Sequence, residues 1–262
     1  MNRYSVVDQR RIVAAVLGGA APAAFAPTDV GGLVLWLKAD AGTFQDAAKT
    51  TPATANTHPI GAWADQSGSG NDVTQAVAGL KPILATNRIG SLPGVYFDGQ
   101  AAPNGDTLVT AAVFAMKPCT VFCVASCNDL ANYRAFIGSD GNAFEFRHSN
   151  AGSGSAVLQA LKQGVTVIGS GTGTLTNDTV TLVEMSYGSA GAFDFVINGT
   201  TGGSGTNNQT WTEEEVFIGS NKGIAEFFKG DLYEIAIYNS VLSAGDRTKV
   251  RNYLSTRWSL GL

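Results

Sequence analysis

From Leu33 onward, apolar and polar residues alternate with a period of two in short runs, and glycine-rich turns separate the runs. That pattern constrains the chain more than any other feature, because alternate residues of a strand point to opposite faces. In AFEFRH, Phe144, Phe146 and His148 share one face and Glu145 and Arg147 the other. In AFDFVIN, Phe193, Phe195 and Ile197 oppose Asp194, Val196 and Asn198. Similar runs occupy Val95 to Phe97, Thr120 to Ala125, Val180 to Tyr187, Glu215 to Ile218 and Leu232 to Tyr238. GSDGN, NAGSGS, GSGTG and NGTTGGSGTNN punctuate them. Many short strands without alternating long helices predict an all-β sandwich or barrel.

Two stretches break the pattern. LSAGDRTKVRNYLSTRW carries a capping box at Ser243 and Asp246, with Val250, Tyr253, Leu254 and Trp258 at helical spacing. A C-terminal helix over 243–258 is expected to lay that stripe on the sandwich. At the other end, Ser5 and Asp8 form a second capping box ahead of an apolar stripe, Ile12, Val13, Val16 and Leu17. Gly18-Gly19 ends this short helix, and AAPAAFAPTD, which includes Phe25, continues it as an extended arm. The reading is therefore an arm over residues 1–30 and one β domain over 31–262. The stripe needs a cover, either the chain's own domain or a neighbouring subunit. RRIVAAVLGGAAPAAFA has the flavour of a signal peptide, but the polar start and the glycine pair oppose removal, and the run is too short and broken to span a membrane.

Composition narrows the function classes. A formal charge of -4 and a single adjacent basic pair, Arg10-Arg11, argue against nucleic-acid binding. Cys119, Cys123 and Cys127 recur every fourth residue in CTVFCVASC, which on a strand spreads them along one face too widely for a tetrahedral metal. They read as small core residues, and an odd count opposes a disulfide scaffold. The two histidines, His58 and His148, have no nucleophile elbow beside them. Glu213 and Glu215 are the only close acid pair resembling the two carboxylates of a glycosidase, and they adjoin a Thr/Asn/Gly loop. No catalytic set emerges, and no enzyme is expected.

WADQSGSGNDVTQA concentrates the polar residues. With Asp65 at the first position of an EF-hand loop, the twelfth is Ala76, where a bidentate glutamate is required. That register fails. Calcium at a sandwich rim stays open through Asp65 or Asp72, and otherwise no cofactor is expected. The other reading is a structural turn of Asp65, Ser67, Gly68, Gly70 and Asn71, held by side-chain-to-backbone hydrogen bonds. Trp63 and Trp211 adjoin polar loops and are the candidates for stacking on sugar rings; Trp36 and Trp258 read as core.

GLVLWLKADAG, WADQSGSGNDVTQA, LPGVYFDG, TVFCVAS, FDFVINGT and FKGDLYEIAIYNSVLSAGDRTKVRNYLSTRW together resemble a concanavalin A-like, laminin-G-like domain spanning Gly32 to Trp258. The resemblance implies a jelly roll of two antiparallel sheets, similar to domains of bacterial secreted proteins and bacteriophage virion proteins. It implies that Trp63, Asp65, Ser67, Gly68, Gly70, Asn71 and Gln75 belong to a framework turn. The alternating acidic strand of the family's glucanases is missing. The leading expectation is a non-catalytic bacteriophage virion accessory protein, a capsid decoration or tail component. It would be attached through its arm to other virion proteins or copies of itself, with the sandwich facing outward at the virion surface, where a host surface glycan is a further partner. The alternatives are a bacterial, extracellular carbohydrate-binding module and a glycoside hydrolase. Neither nucleic-acid binding nor membrane insertion is expected.

Overall fold

The computed structural model describes residues 24–139, 144–149, 157–162, 167–170, 175–209 and 213–262. The expected N-terminal helix with Ile12, Val13, Val16 and Leu17, and also Trp211, lie outside these residues.

Two antiparallel sheets form a sandwich, as the alternation predicts. One has eight strands among the described residues, in the order β15 (Thr200–Thr206), β14 (Ala192–Ile197), β13 (Val180–Tyr187), β8 (Cys119–Cys127), β17 (Lys229–Tyr238), β6 (Leu92–Asp98) and β5 (Ile83–Ile89). Its eighth strand, β1 (Leu33–Lys38), pairs with the second half of β17, after β6 has paired with the first. The other sheet has nine, ordered β12 (Val167–Ser170), β11 (Leu158–Lys162), β10 (Phe144–His148), β9 (Arg134–Ser139), β16 (Glu214–Ile218), β7 (Leu108–Phe114), β4 (Val73–Thr74), β3 (Ala62–Trp63) and β2 (Thr43–Phe44). A single α-helix among the described residues, α1 (Ala244–Arg257), follows β17.

The alternation also explains a strand that is apolar on both faces apart from Thr120 and Ser126. On β8, Cys119, Val121, Cys123, Ala125 and Cys127 point into the core between the sheets, and Phe122 and Val124 point outward into a second apolar layer. Helix α1 covers that outer layer with Val250 and Leu254, joined by Trp258 just beyond its end, all essentially buried. A strand covered on both faces can be largely apolar on each. Ser243 caps the helix by accepting from the Asp246 N–H at 3.1 Å, as its capping box predicts.

Two buried glutamates of the outer face fasten the helix. Glu184 on β13 receives Arg251 at 2.6 Å and Arg247 at 3.4 Å, and Glu234 on β17 receives Arg257 at 3.0 Å. The entering chain joins the same layer. Pro27 is buried, its carbonyl accepts from the Tyr238 hydroxyl at 2.9 Å, and the Phe25 ring meets Tyr253 edge-on at 6.3 Å. Residues 24–30 thus lie on the sandwich, although the sequence reading grouped them with the arm.

Candidate functional site

The polar turn after β3 has its side chains committed to the fold. Asp65 accepts four donors: the Trp36 and Ser67 N–H groups at 2.8 Å each, the Ser67 hydroxyl at 2.7 Å and the Asn71 N–H at 3.0 Å. Asn71 donates to the Val34 carbonyl at 2.7 Å, and the Ser69 hydroxyl reaches the Leu33 carbonyl at 3.3 Å. The backbone N–H of Gln66 donates to the Trp36 carbonyl at 2.7 Å. Gly68 and Gly70 take φ of +89° and +76°, which close the turn without the strain a side chain would add. The contacts to Leu33, Val34 and Trp36 fall on β1, whose second edge has no neighbouring strand among the described residues. The turn therefore does for β1 what a partner strand would do, satisfying N–H and C=O groups at an open edge.

Two expectations are corrected here. Trp63 is fully buried, with its indole N–H on the Lys38 carbonyl at 2.8 Å, so it offers no face to a sugar. The carboxylates of Asp65 and Asp72 are not free, as the calcium expectation has them, but engaged within the fold. Asp65 spends both oxygens on donors, while Asp72 accepts the Asp65 N–H at 2.8 Å and pairs with Lys49. Among the described residues no group of three or more His, Cys, Asp or Glu is placed to hold a metal ion. Asp65→Ala is expected to lower stability by about 2–4 kcal/mol, since it strips one acceptor from four donors. Urea unfolding checks it, and a variant matching the parent would show the turn to be dispensable.

The histidines lie within the fold, His148 with Nδ1 against the Ser149 carbonyl at 3.1 Å and its buried Nε2 without a hydrogen-bond partner among the described residues. His58 Nδ1 accepts the Thr54 and Ala55 N–H groups at 3.2 and 3.3 Å. His148 is fully buried against Phe136, and burial pushes its pKa down to about 4, so the ring is neutral at pH 7. Glu213 and Glu215 lie at the start of β16, a strand flanked by β7 and β9.

A different set of residues forms a cleft of about 460 Å³. Three loops meet there, around Gly99–Ala102, Asn132–Arg134 and Ile224–Phe227. Arg134, the first residue of β9, binds them together. Its Nη1 donates to the carbonyls of Gly99 at 2.9 Å and Phe227 at 2.8 Å, and its Nη2 pairs with Asp129. Partial burial opposes the charge on Asp129, but hydrogen bonds from Arg134 and Asn132 prevail and hold its pKa at about 2.

Tyr133 stands at the mouth, 43% exposed, with the Arg147 guanidinium 4.2 Å from its ring centroid. Arg147 is fixed from below by Gln159 at 3.2 Å and by Glu226, a cleft residue. Beneath lies Glu145, 3% exposed, which accepts from Asn221 at 3.2 Å. Burial, followed by the adjacent Glu226 carboxylate, raises the Glu145 pKa to about 9. Glu145 therefore favours its protonated form at neutral pH, while Glu226 is held below its ordinary value, its neighbours Glu145 and Arg147 outweighing its partial burial.

This arrangement can accept a neutral polar ligand. It presents an aromatic face of fixed orientation, the polar side chains of Gln100 and Asn132, a carboxylate at Glu226, and an exposed apolar flank at Ile224. Sequence reasoning missed it because its parts come from four separate regions. The available signals were the outward pair Glu145 and Arg147 on β10 and the short polar run NDLANYR that leads into β9.

Residues 105–246 match the family model described as the concanavalin A-like lectin/glucanases superfamily. Among solved structures, the chain is similar to domain 4 of an extracellular GH43 arabinanase from Geobacillus stearothermophilus in complex with arabinotriose, at TM-score 0.58 and 17% identity, covering 84% of this chain and 98% of that one. An arabinofuranosidase complexed with arabinofuranosyl-α-1,2-xylobiose aligns at TM-score 0.60 and 14% identity, over 87% of this chain and 60% of that one. The Trypanosoma rangeli sialidase in complex with sialic acid aligns at TM-score 0.51 and 15% identity, over 87% of this chain and 33% of that one. At these identities the likeness is one of fold. No curated protein sequence matches the chain.

Proposed function

The chain belongs to the concanavalin A-like lectin/glucanase superfamily, and from that premise we propose that it is a non-catalytic carbohydrate-binding module whose ligand seats in the cleft at Tyr133. The observation that carries this reading is Tyr133 itself. It is a half-exposed ring braced on Arg147 at 4.2 Å, beside polar side chains that can pair with hydroxyls. The C–H face of a sugar ring packs on such an aromatic, and its hydroxyls need donors and acceptors at the rim.

The acid pair supports binding over hydrolysis. Glycosidases hold two carboxyls about 5–9.5 Å apart across the scissile bond. Here Glu145 is 3% exposed, buried beneath the loop beside Glu226, so the two do not flank an open cleft as a catalytic pair does. The glycans seen with the similar structures, an arabinose oligomer, an arabinosylated xylose unit and sialic acid, are the first probes to try. Among the described residues no helix is long and apolar enough to cross a membrane. The virion-attachment reading depends on the arm, most of which lies outside the described residues, and the cleft favours the carbohydrate-binding alternative.

A glycan array followed by calorimetry is expected to find saturable binding. Tyr133→Ala should weaken it at least tenfold without moving the thermal midpoint, and Tyr133→Phe should largely preserve it. Absence of binding to every glycan, or unchanged affinity in Tyr133→Ala, would reject the assignment.

A further inference from the structure

The cleft at Tyr133 has its donors and acceptors unevenly committed. Gln100 and Asn132, two exposed amides of its lining, each turn the nitrogen onto a carboxylate. Gln100 Nε2 donates to Asp98 at 2.7 Å, and Asn132 Nδ2 donates to Asp129 at 2.9 Å. A carboxylate only accepts, so chemistry fixes both amides in this orientation. The carbonyl oxygens, Gln100 Oε1 and Asn132 Oδ1, receive no donor among the described residues.

The donors around the cleft are spent by contrast. Arg134 gives Nη1 to the carbonyls of Gly99 and Phe227 and Nη2 to Asp129, while Arg147 is held by Gln159 and Glu226. The backbone N–H of Gln100 goes to Asp98 at 3.0 Å, and those of Ile224 and Ala225 go to the Asn221 carbonyl at 3.1 and 3.3 Å. Glu226 adds a carboxylate to the lining. A ligand group that needs donors, above all an anionic one, would lose its water here without replacement. A primary ammonium gives three hydrogens and accepts none, which suits a wall of open acceptors. Resting on the carbohydrate-binding proposal, we infer that the cleft selects glycans bearing an unacetylated amine. Gln100 and Asn132 offer their oxygens to the ammonium, and Glu226 offers its charge.

Calorimetry on the full chain, at slightly acidic pH and physiological salt, compares three probes: a glucosamine oligomer with free amines, the same oligomer N-acetylated, and a sialylated trisaccharide. The free amine is expected to bind about tenfold tighter than its acetylated form, with the sialylated probe weakest. Gln100→Met removes one open acceptor from an exposed side chain. It should bring the two glucosamine probes close to parity while the thermal midpoint holds. Equal or tighter binding of the acetylated or sialylated probe, or an amine preference unchanged in Gln100→Met, would overturn the inference. If such binding still needs Tyr133, the carbohydrate reading stands without it. Amine binding that survives Tyr133→Ala would mark attraction to the chain's formal charge of -4 and overturn the inference too. Binding of no glycan at all would reject both.

Discussion

Gly230→Ala is expected to leave no stably folded sandwich, a loss of more than about 4 kcal/mol. A Cβ at this position would stand 2.0 Å from the Ser126 carbonyl oxygen and 3.0 Å from its carbon, and φ is +139°. Neither obstacle is the movable end of a side chain. Both are backbone of β8, which pairs with β17 through Gly230 and Cys127. Making room means separating the two strands at the middle of the eight-stranded sheet, where β17 also carries β6 and β1. Far-UV circular dichroism and limited proteolysis read the outcome. A variant with the parent's melting temperature would show that the strands do not approach this closely.

The second large effect is expected at Glu234→Ala, about 3–5 kcal/mol by urea unfolding. Glu234 is completely buried and joins three elements: it accepts the Trp36 indole N–H of β1 at 2.6 Å and the Trp258 indole N–H beyond α1 at 2.7 Å, and it pairs with Arg257. Burial raises its pKa, and the indole donors together with Arg257 work against that rise. Truncation would orphan two buried indole donors and leave the Arg257 guanidinium with Asp40 alone, and unsatisfied buried groups cost more than the lost bonds themselves. A cycle with Trp36→Phe separates the parts. The tryptophan change should cost less in the Glu234→Ala background than in the parent. Full additivity would mean that the 2.6 Å contact contributes nothing.

The fold was legible in the sequence because its cause is local. Alternation at Phe144–His148 and Phe193–Ile197 reports one buried face, and Ser243 with Asp246 marks a helix start within four residues. The turn at Asp65 was legible for the same reason, since Ser67 and Asn71 are its near neighbours. Its purpose was not, because the strand edge it covers lies some thirty residues earlier. The cleft was hidden more deeply. Arg147 meets Glu226 across 79 positions, and Arg134 meets Phe227 across 93. Such pairs form only once β9, β10 and the loop before β17 are assembled. Trp63 misled for a related reason, as a tryptophan beside a polar loop looks exposed until its indole is seen to end on Lys38.

The three thiols on the inner face of β8 carry one more consequence. Oxidants and disulfide partners react with the thiolate, and burial raises the Cys119 pKa to about 12 and those of Cys123 and Cys127 well above the ordinary value. With all three buried and almost no thiolate at neutral pH, the thiols are redox-silent in the folded domain. Its stability needs no disulfide and loses none to a reductant, so the same sandwich persists on either side of a redox boundary.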